Sequence, residues 1–168
     1  NSLAALALHY PELSQKLGLP ESSDGEFSRE KFRIFMDKVC SCVGTSVFFG
    51  RPMGIGIWRY TKSVLQYAAS HDVFLESHVC VTTYVSGNLP VRFIKNGLAK
   101  CGAVALLASW NSYTAEFSGP CGTAEAKIKN HFITITGMEK TAEGLLLTIS
   151  TWGKKGTVSY KEVFESWQ

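Results

Sequence analysis

Hydrophobic positions along the chain change their period near residue 100. Before it they recur at helical spacing; after it they alternate or run as short β-branched stretches. The opening NSLAALALHYPEL has no polar cap ahead of a run of Leu and Ala, and Pro11 can end the helix that this run favours. Residues 18–27, GLPESSDGEF, are turn-rich. Ser28 then precedes Phe32, Phe35, Met36, Val39 and Val43 at spacings of three and four, which predicts a capped amphipathic helix. A second helix is expected over residues 58–70, where Val64, Leu65, Tyr67 and Ala68 share a stripe. A third is expected over residues 89–100, with Pro90 in its first turn and Gly102 beyond its end. VCVTTYV, residues 79–85, has strand composition.

Four strands are expected in the remainder: AVALLAS (103–109), HFITITG (131–137), LLLTIS (145–150) and GTVSY (156–160), followed by a short helix. MEKTAEG reads as a hairpin loop between the second and third. Helices first and strands afterwards argue for an α+β fold with antiparallel pairing, against a doubly wound parallel sheet.

A chain of 168 residues with 45% hydrophobic content suits one globular domain. The net charge of +3 is spread along the chain with no basic run, so nucleic acid has no support as a partner. Apolar runs such as residues 3–8 and 103–108 fall well short of the roughly 20 residues that cross a bilayer, so no membrane partner is expected and the chain reads as soluble. Three glycines within FFGRPMGIGIWRY do not have phosphate-loop spacing. Five cysteines (Cys40, Cys42, Cys80, Cys101, Cys121) are too few for a disulfide scaffold, and Cys40 with Cys42 lacks a second ligand pair for zinc. His9, His71, His78 and His131 have no paired spacing, so neither metal nor cofactor is expected.

His131 heads a strand, where a histidine is ordinarily structural. The expected hairpin brings the end of the neighbouring strand, with Ser150, near it, and a histidine base needs such a polar neighbour to hold its ring. HFITITG and ISTWGKKGTVSY together resemble the His strand and the Asn-Ser-Trp-Gly strand of papain-like cysteine peptidases, with Ser150 standing where Asn is usual. AKCGAVALLASWN is similar to the strand ahead of the histidine in the bacteriocin-processing, double-glycine-peptidase-like branch. The resemblance covers the chain from residue 99 onward and the helical half only loosely. It implies a papain-like domain over residues 1–168, with a helical half (about 1–100) packed on an antiparallel sheet half (about 101–168). It further implies a thiol nucleophile, His131 as general base, Ser150 as orienter, and a peptide or acyl substrate. Ser150 is shorter than the usual Asn, so Asn111 or a backbone carbonyl could serve instead, or the triad is degraded.

Papain-like enzymes carry the nucleophile at the head of a helix, roughly 130–150 residues before the histidine. Counting back from His131 reaches Asn1 or earlier, so the expected nucleophile lies upstream of Asn1 and the first helix is the body of the helix that bears it. Cys121, in Cys-Gly-Thr ahead of a helix-favouring stretch, is a rival only ten residues from His131; Cys40 and Cys42 are weaker ones. The alternative is a catalytically inactive papain-like module that binds peptide.

Overall fold

The computed structural model describes residues 1–23, 26–44, 47–48, 51–52, 55–81, 89–119, 122–151 and 153–164, side chains excepted at 22, 23, 26, 47, 48, 51, 52 and 109–111. These residues form a mixed α+β chain with antiparallel strands throughout. It divides into two units: Asn1–Ala5 with Cys80–Gln168, and Leu6–Val79.

In the unit Leu6–Val79, helix α1 (Ser2–His9) completes its last turn and stops ahead of Pro11, and α2 (Glu12–Lys16) follows. Two-residue strands β1 (Ser22–Ser23) and β2 (Glu26–Phe27) pair before α3 (Arg29–Val43). Strands β3 (Val47–Phe48) and β4 (Arg51–Pro52) pair before α4 (Ile57–Ala69). The expected stripe of α3 does face inward, with Phe35 buried and Phe32, Met36, Val39 and Val43 half-buried. Ser28 occupies the N-cap position, but its hydroxyl makes no capping bond. Phe27, Phe32, Phe35 and Tyr67 form a chain of ring contacts at 5.2, 5.8 and 6.3 Å. The Tyr67 hydroxyl donates to the Leu17 carbonyl at 2.9 Å, so the largest polar group in this core is satisfied. Burial pushes the Tyr67 hydroxyl pKa up.

The other unit is built on four strands: β5 (Val104–Gly119), β6 (Gly122–Thr141), β7 (Gly144–Thr151) and β8 (Lys154–Ser159). They pair in that order, and β8 returns to β5 to close a barrel. Closure needs Gly156: a Cβ there would lie 2.5 Å from the Glu116 carbonyl oxygen and 2.7 Å from the Phe117 ring. Tyr113, Ile128, Ile133, Ile135, Leu147 and Ile149 fill the interior, where each buried aliphatic side chain contributes about 1.5–3 kcal/mol. Helix α5 (Leu89–Cys101) packs Ile94 onto this core, and α6 (Tyr160–Phe164) adds Val163. A partition near residue 100 would leave α5 with the helical half. Its apolar stripe packs instead on the strands, in the unit formed by Asn1–Ala5 and Cys80–Gln168.

Three local expectations change. Residues 79–81 are irregular, not strand, because no ladder takes up their backbone groups among the described residues; residues 82–85 lie outside that set. MEKTAEG is mostly strand: β6 and β7 run on to Thr141 and Gly144 and meet in a two-residue turn at Ala142 and Glu143, where Gly144 takes φ +130°. The stretch after Cys121 is strand, not helix. Its alternation of Ala124, Ala126 and Ile128 with Glu125, Lys127 and Lys129 puts apolar groups on one face of β6 and charges on the other.

Candidate functional site around His131

Strands β5 and β6 are too long to stay flat, and both bend at the same place. Ala108 pairs with His131 and Ser112 with Lys129, so β5 carries three residues where β6 carries one. That one is Asn130, at φ +49°, in the left-handed region that Asn tolerates best after Gly. The irregularity re-aims the next side chain, as bulges do at barrel rims. Ile128 and His131 both face inward across it, although three positions apart.

The imidazole of His131 is half-buried on the inner face in line with Ile133 and Ile135. Its Nε2 lies 2.7 Å from Oγ1 of Thr151, which is 2% exposed. Leu147, Ile149 and Thr151 share the inward phase of β7, which places Thr151 within reach of the ring. Burial lowers the His131 pKa from its ordinary 6.5, so the ring is held neutral at neutral pH, the state that can accept a proton.

The register moves the expected ring partner by one residue. Ser150 pairs with Thr134 and occupies the outward phase of β7. Its Oγ accepts from Asn1 Nδ2 at 3.3 Å, and its carbonyl accepts from the same amide at 3.4 Å. Ser2 Oγ lies 3.2 Å from Thr134 Oγ1. The start of α1 is thus fastened to the outer face of the β6–β7 pair that carries His131 and Thr151 on its inner face.

The other candidates lie elsewhere. Cys40 and Cys42 are exposed on α3 in the other unit, Cys101 is exposed at the end of α5, and Cys80 is half-buried. Cys121, Trp152 and the Asn111 side chain lie outside the described residues. The His71 ring lies tilted against Tyr67 at 4.4 Å with Nδ1 2.9 Å from the Tyr67 carbonyl oxygen. His78 is a surface neighbour of Glu76 at 3.8 Å, and His9 packs on Tyr10 at 4.8 Å. Among the described residues no three His, Cys, Asp or Glu side chains cluster as metal ligands. No described helix is long and apolar enough to cross a membrane.

Sequence reasoning missed Thr151 as the ring's partner, although the alternation of LLLTIST carries the signal. It also missed Tyr113, whose hydroxyl is buried in the barrel with no hydrogen-bond partner and whose pKa burial pushes far up. No family model, curated protein or solved structure matches the chain.

Proposed function

We propose that the chain is a papain-like cysteine peptidase or acyltransferase domain in which His131 is the general base and Thr151 orients its ring. The observation that carries this reading is the 2.7 Å pairing of a half-buried imidazole with a buried hydroxyl on the next strand. A histidine base must be neutral before it acts and must be held in one orientation by a second group. Ser150 is a positioning residue that holds the start of α1 through Asn1.

In the proposed reaction His131 accepts the thiol proton as sulfur adds to the acyl carbon. It returns the proton to the departing amine or thiol, leaving a thioester on the enzyme. Water then adds to that thioester with His131 again as base, releasing the acid and restoring the thiol. The test is mass spectrometry of the full encoded protein with a peptide thioester, before and after iodoacetamide. A transient acyl adduct on a single cysteine, abolished by alkylation, is the expected result. Turnover that survives alkylation contradicts the reading.

The division of faces favours a second reading. The ring points to the inner side of the strand pair and the start of α1 meets the outer side, an arrangement that suits a peptide-binding module derived from a peptidase. Saturable peptide binding by the full encoded protein, with no hydrolysis and no adduct, would select this alternative.

A further inference from the structure

Residues 122–130 of β6 run beyond the end of β7, and among the described residues only β5 pairs with them. Among the described residues the side of this segment away from β5 is an open edge, where every second residue directs its N–H and C=O outward. By contrast, the free edge of β5 is covered at Thr114, whose N–H donates to the Glu162 carboxylate at 2.7 Å.

We infer that this edge of β6 pairs antiparallel with the same edge of a second copy of the chain, about a two-fold axis through Ala126. The pattern of GTAEAKIKN is what singles out this partner and this register. With Ala126 opposite its own copy, Glu125 faces Lys127 of the second copy, and the pair recurs across the axis. On the face opposite these charges the exposed Ala124 meets Ile128 of the second copy, so apolar groups meet apolar groups, while Lys129 meets the neutral Thr123. Moving the centre to Lys127 sets that lysine against itself, and moving it to Ile128 sets Lys127 against Lys129. Lysines on an exposed edge ordinarily discourage pairing, so a register that gives each one an acidic or neutral neighbour is selective.

A second feature within one chain points the same way. Glu125 lies directly opposite Glu116 on β5, and both are exposed. Like charges directly opposite in a ladder are destabilising. Lys127 of the second copy, on the other flank of Glu125, offsets that repulsion. The interface is isologous, as a two-fold dimer requires. It does not depend on any catalytic role for His131.

The test is sedimentation equilibrium of the protein under reducing conditions, which silence the exposed Cys40, Cys42 and Cys101, with Glu125→Lys, Lys127→Glu and the double exchange alongside wild type. The expected result is a concentration-dependent monomer–dimer equilibrium that each single exchange weakens by about tenfold and the double exchange restores, since each exchange turns two opposite-charge cross-strand pairs into like-charge pairs and tenfold corresponds to about 1.4 kcal/mol over the two. Both substitutions are at exposed positions, and circular dichroism checks that each of the three variants folds. A monomer at every concentration up to about 1 mM, the weak limit of specific association, overturns the inference, whether or not an added extended peptide takes the edge. A dimer indifferent to the exchanges overturns it as well, because its interface then lies elsewhere.

Discussion

His131 Nε2 and Thr151 Oγ1 face each other at 2.7 Å on neighbouring strands, while Ser150, one residue before Thr151, turns the other way and bonds to Asn1. The two hydroxyls therefore have separable jobs. Thr151→Val keeps the shape of a buried side chain but leaves the ring without that partner, at an expected cost of about 1–2 kcal/mol. Ser150→Ala breaks only a longer, half-buried contact and should cost about 0.5 kcal/mol. Urea denaturation of the two variants measures the difference, and equal costs would argue against the asymmetry.

The pH dependence follows from the burial of His131. Its folded-state pKa lies below the ordinary 6.5, so as pH falls the unfolded chain takes up this proton first. Stability due to the neutral ring is complete above the unfolded value and is lost as pH drops from about 6.5 toward the folded pKa. Subtracting the melting-temperature profile of His131→Gln from that of wild type should leave a loss confined to that acid window. A difference that grew toward alkaline pH would contradict the assignment of a lowered pKa.

Tyr113 offers a stabilising change. Its hydroxyl is buried without a partner, and such a group costs about 1–3 kcal/mol relative to one left in water. Tyr113→Phe keeps the ring in place and removes the unpaired oxygen, so thermal denaturation should show an equal or higher midpoint. A drop of several degrees would mean that the hydroxyl is satisfied in solution.

Barrel closure predicts a marked loss at Gly156. An added methyl would press on the Glu116 carbonyl and the Phe117 ring, which can yield only by separating β8 from β5. Gly156→Ala should destabilise by roughly 1–3 kcal/mol in denaturant titration. Near-wild-type stability would show that the two strands part without cost.

Much of the secondary structure was legible because period and propensity agreed. The stripes of α3, α4 and α5 recur at helical spacing, and the apolar run of residues 145–149 lies between a turn-forming Gly144 and polar residues. Residues 122–130 were obscured because Ala, Glu and Lys favour helix, while the alternation Ala-Glu-Ala-Lys-Ile-Lys demands a strand once Ile128 has a core to enter. Strand composition misled at residues 79–81, where a pairing neighbour matters more than β-branching. The His131 strand and its hairpin with β7 were legible, but the partner residue depended on register. The bend at Asn130 and the bulge after Ile135 set that register, and both depend on contacts distant in sequence.

The central claim, that His131 is a general base, is tested most directly by the single-turnover rate of the full encoded protein on a peptide thioester, compared with His131→Ala. The account predicts a fall of about 10²–10⁴-fold, the usual contribution of a positioned acid–base residue, with partial recovery on adding imidazole and a melting temperature lowered by only about 2–8 °C, the cost of the lost contact with Thr151. An unchanged rate would contradict it, as would a lost rate accompanied by a collapsed melting temperature and no recovery with imidazole.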